Sequence, residues 1–293
     1  MIILIPNKIC SDYSGFNNLI EIFNRVKNIS FDTITFDFHN CRWFEANLCA
    51  VLGVICHNIT QNINNVEFVN IDKKIENVFS KNGFLQHFGG FRLQDDNYTT
   101  IKYRRYQSNE QSLFKIYLDE ELLTKKDFPK MSPFLKKKIH ENIFEIFENS
   151  ISHGASEYVF SCGQYYPQKS PPRIDFTIVD IGRSIKTNVN EFLKQNLSGI
   201  ETIEWAVKEK NTTKTGNTPG GLGLKLIREF LKHNKGELQI ISAEGFWQQD
   251  KKNIIFTKNL QNLFSGTIVN LEFNIDNNYY FTKKDKLNEQ DIF

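Results

Sequence analysis

The chain has no excess charge of one sign: 36 lysines and arginines face 34 aspartates and glutamates, a formal net charge of +2. That balance gives no overall signal for a polyanion, so nucleic acid is not an expected partner. Long apolar runs are missing too, and none reaches the roughly 18 residues that span a bilayer. Residues 1–6 (MIILIP) lack a basic leader and a cleavage pattern, and read as a first strand, not a signal peptide. A cytoplasmic protein without a membrane partner is the expectation. Cysteine is sparse and unpatterned. Cys10, Cys41, Cys49, Cys56 and Cys162 are odd in number, irregularly spaced and include no CxxC pair. Reduced thiols fit this best. No internal repeat is present.

What remains is ordinary globular material, 40% apolar and 24% charged, in a length of 293 residues that suits one large or two modest domains. Residues 1–104 alternate strand and helix patterns. In residues 31–38 (FDTITFDF) Ile34, Phe36 and Phe38 recur at period two, as in a strand. Residues 46–59 form an apolar stretch long enough for a buried helix, and 66–70 a short strand. Residues 71–85 carry Ile71, Ile75, Val78 and Phe79 at helical spacing, with Gly83 as a stop. A basic connector at 102–106 (KYRRY) marks the boundary. Residues 105–277 form the second domain: a long helix over 132–153, strands at 157–165 and 173–179, an amphipathic helix at 199–209 and a loop at 210–219. A further helix follows Gly223, then strands at 237–242 and 266–275. In the last strand Val269, Leu271, Phe273 and Ile275 alternate with Asn270, Glu272 and Asn274, the pattern of a half-buried antiparallel strand. Residues 278–293 are expected to be a flexible tail. Trp247 reads better as core than as a partner contact.

Three segments carry chemistry. On the helix over residues 139–153 (IHENIFEIFENSISH), Ile139, Ile143, Phe147 and Ile151 fall on one face. Asn142, Glu145, Asn149, Ser152 and His153 fall on the other, with Glu145 one turn below Asn149. A carboxylate beside a neutral oxygen donor can orient a water and a hard cation such as Mg²⁺. A solvated polar stripe gives the same pattern. In residues 176–185 (FTIVDIGRSI) an apolar strand ends in Asp180, and Gly182 follows. An aspartate there can accept from an exocyclic amine, and a glycine admits close approach of a ring. A plain Asp-x-Gly turn is the other reading. Residues 220–224 (GGLGL) open a helix, where glycine backbone N–H groups and the helix dipole suit phosphates. A flexible loop end also fits, since a lone glycine cluster is weak evidence.

Together, in this order, these segments resemble the GHKL ATPase family of gyrase, MutL and histidine-kinase ATP-binding domains. Glu145-x-x-x-Asn149 resembles its N-box, Asp180-x-Gly182 its adenine box, Gly221-x-Gly223-Leu224 its second glycine box and Gly266-Thr267 its final threonine. The resemblance covers about residues 130–276. It implies an α+β fold: a GHKL Bergerat-type α/β sandwich whose mixed sheet is covered by helices on one face. It also implies ATP and Mg²⁺ as cofactors. Glu145 would be the general base, Asn149 the Mg²⁺ ligand and Asp180 the adenine partner, with Gly182 and Thr267 around the ring. Gly221, Gly223 and Leu224 would cradle phosphates. Residues 208–219 would close over nucleotide, with Lys210 and Lys214 as phosphate contacts, and His153 would sit near the phosphates. Ser184 stands where the family has a second glycine.

The first domain resembles STAS domains over about residues 25–90. Their phospho-acceptor hydroxyl falls here at Ala46 or Asn47, neither of which is an alcohol. A scaffold or docking role is expected in place of a phospho-switch. The combined expectation is an ATPase acting as a nucleotide-dependent switch in bacterial regulation, of stress or phage defence for example. It would work with a regulatory protein partner or as a homodimer. A serine or histidine protein kinase of the anti-sigma type and a non-catalytic nucleotide-sensing module are the alternatives. No helical dimerisation segment carrying an acceptor histidine precedes the motifs. Gyrase-like work on DNA ranks low, because only a short tail follows residue 277.

Overall fold

The computed structural model describes residues 1–208, 211, 223–283 and 285. The first strands, β1 (Ile2–Leu4) and β2 (Lys8–Ile9), lead into α1 (Tyr13–Val26). Strands β3 (Thr33–Asp37) and β4 (Trp43–Phe44) precede α2 (Cys49–Gln61), and β5 (Asn65–Val69) precedes α3 (Lys73–Lys81). β1, β3 and β5 form a parallel sheet in that order. Local chemistry sets the helix ends. Asp12 accepts from the Gly15 N–H at the start of α1, and Asp72 from the Lys74 N–H at the start of α3. Just past α3, Gly83 has φ +81°, a left-handed conformation that ends a helix at little cost only for glycine.

The second half opens with β6 (Thr100–Gln107), α4 (Gln111–Tyr117), β7 (Lys130–Met131) and α5 (Pro133–Ser152). It continues through β8 (Tyr158–Tyr166), β9 (Arg173–Asp180), α6 (Ile185–Leu193), α7 (Gly199–Ala206) and α8 (Gly223–Asn234). It finishes with β10 (Glu237–Gln249), β11 (Ile255–Asn274) and β12 (Tyr279–Tyr280). A five-stranded sheet runs β10-β11-β9-β8-β6. The chain is therefore a mixed α/β protein with one parallel and one larger sheet.

Two expectations about the larger sheet are corrected. It is not mixed: every neighbouring pair among the described residues is antiparallel. Short connections force this for β8–β9 and β10–β11, since parallel neighbours need a long crossover, while β6–β8 and β9–β11 are antiparallel across long connections. Nor is it covered on one face only. One face packs on α5 and α8, where Ile143, Phe147 and Leu231 share a core with Phe176 and Leu271. The other packs on α1 and α2, where Phe16 and Leu52 share a core with Phe160, Val179 and Ile268. Helices α1 and α2 of the first half thus lie between the two sheets.

The boundary expected at residue 104 falls inside β6, which pairs with β8 on both sides of an irregularity between Ile101 and Arg104. Within residues 278–293, Tyr279 and Tyr280 pair with Lys130 and Met131, and the Tyr280 ring packs edge-on against Phe230. Trp247 is buried. No helix among the described residues is long and apolar enough to cross a membrane.

Candidate functional site

Helix α5 supplies one wall of a cavity of about 150 Å³. Its start is fixed by Ser132, whose hydroxyl accepts from the Leu135 N–H, and by Pro133 in the first turn. Ile139, Ile143 and Phe147 enter the core on one face. On the opposite stripe Asn142 is buried, Glu145, Asn149 and His153 are partly buried and Ser152 is exposed. Glu145, Asn149 and His153, each one turn from the next, line the cavity beside Asn142, Ile146 and Ser150. Serine and asparagine are tolerated inside this helix because their side chains bond back to it. Ser150 Oγ donates to the Ile146 carbonyl (3.1 Å) and Asn142 Nδ2 to the Lys138 carbonyl (2.8 Å). Asn142 Oδ1 is buried and has no hydrogen-bond partner among the described residues. His153 caps α5, and its carbonyl accepts from Asn188 Nδ2 (2.9 Å).

The floor comes from the sheet. Asp180, the last residue of β9, lies opposite Thr267 of β11, and both line the cavity with Ile178, Ile240 and Val269. Asp180 is 2% exposed, and its Oδ1 is buried with no hydrogen-bond partner among the described residues. Burial raises its pKa to about 7, against the opposing pull of the Ser150 hydroxyl and the Thr267 backbone N–H. An ionisable acceptor is thereby held in an apolar recess, free to take a donor that fits there. Ser242, which no sequence pattern marked, props this corner. Its hydroxyl donates to the Gly266 carbonyl (2.7 Å), lies 3.2 Å from Thr267 Oγ1 and accepts from the Ile185 N–H (2.9 Å).

Gly182 is beside the cavity and does not line it. A Cβ there would lie 2.0 Å from the Gly154 carbonyl oxygen, so glycine is needed to dock the β9–α6 turn on the end of α5. Ser184 caps α6, accepting from the Thr187 N–H (3.2 Å), which gives serine a local reason where a glycine was anticipated. Gly223 begins α8, and Leu224 lines the cavity from its first turn. Lys210, Lys214 and Gly221 lie outside the described residues. Arg183 and Trp205 also line the cavity and were not anticipated; Arg183 forms an ion pair with Glu191.

The sheet's other face holds a second polar assembly. Asn47 is fully buried, and its Nδ2 lies within reach of Ser11 Oγ (2.8 Å), Thr177 Oγ1 (3.0 Å) and Asn270 Oδ1 (3.0 Å). Beside it Arg173 meets Glu45 (2.9 Å), Asp175 (3.0 Å) and Glu272 (2.6 Å), and Lys251 also pairs with Glu272. Burial pushes the Asp175 carboxyl well above its usual range, with Arg173 pulling the other way. The strand expected to be half-buried is thus buried on both faces: Asn270, Glu272 and Asn274 are each less than 5% exposed. Their polarity matches a polar neighbour and not water. Among the described residues no cluster of three or more His, Cys, Asp or Glu side chains is arranged to hold a metal. Neither a family model nor a curated protein matches this chain.

Proposed function

We propose that the chain binds Mg²⁺–ATP in this cavity and acts as a GHKL-type ATPase, a nucleotide-dependent switch. The observation that carries the reading is the buried, unpartnered Asp180 Oδ1. It lies in one cavity with Glu145 and Asn149 of α5, Leu224 of α8 and Thr267 of β11. An exocyclic amine is the donor such an acceptor fits, and Ile178, Ile240 and Val269 offer a planar base an apolar bed. Asn149, one turn from Glu145 on α5, would present an oxygen to the cavity for Mg²⁺ held jointly with phosphate, and Glu145 a carboxylate for a water. Bound Mg²⁺ would neutralise phosphate charge; Glu145 would orient the attacking water and accept its proton.

The first half, read as STAS-like, serves as a scaffold. Ala46 or Asn47 stands where that family has its acceptor hydroxyl; both are buried, Asn47 against Thr177 and Asn270 of the large sheet. A partner kinase could not reach either there. The combination suits bacterial regulation through a protein partner.

The test is Mg²⁺–ATP binding together with phosphate release, for wild type and Glu145→Ala. Binding should survive the substitution while turnover falls by at least about 10²-fold, the usual scale for loss of a general base. Wild-type binding without turnover would replace hydrolysis with phosphoryl transfer to a partner protein. No binding at all would sink the reading.

A further inference from the structure

Two walls of the cavity belong to helices outside the sheet: Trp205 and Ala206 on α7, and Leu224 on α8. Their distance from Asp180 and Thr267 must be fixed by something. One turn beyond Leu224, Arg228 reaches in several directions. Its Nη1 donates to the Val207 carbonyl at the end of α7 (2.7 Å), and its Nε donates to Gln249 Oε1 (3.0 Å). The guanidinium carbon lies 5.2 Å from the centroid of the Trp247 ring. Gln249 Nε2 returns a bond to the Arg228 carbonyl (3.2 Å). Gln249 and Trp247 are 3% and 1% exposed, so this end of β10 is a firm anchor.

The hairpin that carries them is in turn held by α1. The Tyr13 hydroxyl donates to the Asn259 carbonyl (2.8 Å), and its ring meets Phe246 edge-on at 5.5 Å. The Asn17 and Gln261 side chains are also paired (3.3 Å), and the Gln261 N–H donates to Asn17 Oδ1 (3.0 Å). Arginine suits this junction because its planar fork donates in diverging directions while stacking on an aromatic face, which a lysine cannot do at once. Its charge also favours the carbonyl end of α7.

We propose that Arg228 is a positioning residue for the nucleotide cavity: it sets α7 and α8 at the spacing the ligand needs, with Gln249 as its fixed point. This rests on the nucleotide reading above. The experiment measures Mg²⁺–ATP affinity by calorimetry on the full chain, with melting temperature in parallel. It compares wild type, Arg228→Ala, Arg228→Lys, Gln249→Ala and the Arg228→Ala/Gln249→Ala double variant. Each alanine variant should raise Kd about tenfold, or ~1.4 kcal/mol. The double variant should be no weaker than the weaker single, because the two residues act as one unit. Arg228→Lys should stay close to Arg228→Ala, since charge without the fork does not suffice.

A purely structural role would lower the melting temperature and leave Kd unchanged, which overturns the proposal alone. Losses that add in the double variant would remove Gln249 as the fixed point and overturn it as well. Failure of the wild type to bind would overturn both this proposal and the nucleotide reading. If Arg228→Ala does not fold, Arg228→Lys and Gln249→Ala carry the same decision.

Discussion

On the side of the large sheet toward α5 and α8, β9 and β11 present Phe176, Ile178, Val269 and Leu271. On the side toward α1 and α2 the intervening residues are Asp175, Thr177, Asn270 and Glu272. The same strands therefore build a dry face with one polar recess and a buried polar face with apolar flanks. Each face carries a carboxyl raised to about 7. Asp180 on the dry side is raised by burial, and Glu237 on the polar side by burial and then by repulsion from Glu272. The groups differ in what satisfies them. Glu237 has charged neighbours in Lys251 and Arg173, whereas Asp180 has an open acceptor atom. Among the described residues both faces keep buried polar atoms without a hydrogen-bond partner, Asn47 Oδ1 and Asp175 Oδ1 on the polar face and Asn142 Oδ1 and Asp180 Oδ1 on the dry one. The difference is access: Asn142 and Asp180 line a cavity that a ligand can enter, whereas the polar face is closed between two layers.

The largest effect expected from breaking this contrast is at Arg173. Its replacement by alanine strands Glu45, Asp175 and Glu272 in the interface and should cost about 3–5 kcal/mol in urea unfolding. ATP affinity of the folded fraction should hardly change, because the loss falls on the polar face. A large loss of affinity at full folding would show that the two faces are not separable.

Asp180 comes next. Its folded pKa lies near 7 against an ordinary 3.8, so between about pH 4 and 7 the folded state keeps a proton that the unfolded chain releases. Stability should fall as pH rises through that window and level off above it, by up to about 4 kcal/mol from this group. Asp180→Asn should flatten that part of the profile and weaken ATP binding by about tenfold or more. Saturating Mg²⁺–ATP should flatten the Asp180 part in wild type, since an amine donor favours the carboxylate, and leave the Glu237 part in place. A profile in Asp180→Asn identical to wild type would exclude the buried-carboxyl account.

Asn47→Ala should cost about 1–3 kcal/mol by leaving Thr177 and Asn270 short of a buried partner. The smallest expected change is Ser132→Ala, about 1 kcal/mol from a lost helix cap, read as a shift in melting temperature with nucleotide affinity unchanged.

Much of the site was legible because its signals are local. Stacking of Glu145, Asn149 and His153 follows from 3.6 residues per turn, and α5 runs from Pro133 to Ser152 much as its apolar spacing predicts. The long distal parts of β10 and β11 were not legible. Their residues 243–249 and 255–265 mix lysine, asparagine and glutamine with scattered aromatics, and the pairing that makes them strands lies across the hairpin. Strand β6 read as a basic connector because Lys102, Arg104 and Arg105 hid Ile101, Tyr103 and Tyr106, which the core receives from it. Arg228 and Ser242 carried no motif at all; only their neighbours give them a role.

The sequence by itself determined which residues share a helix stripe, where a strand gives way to a turn, and that no charge or hydropathy excess marks the chain. These follow from spacing within one element. Tertiary structure alone decided that Asp180 meets Thr267, that the polar alternation of β11 faces a second layer and not water, and that Gly182 packs against Gly154. A polar residue looks the same in sequence whether its partner is solvent or a buried side chain far along the chain. The distinction comes only when folding removes the water.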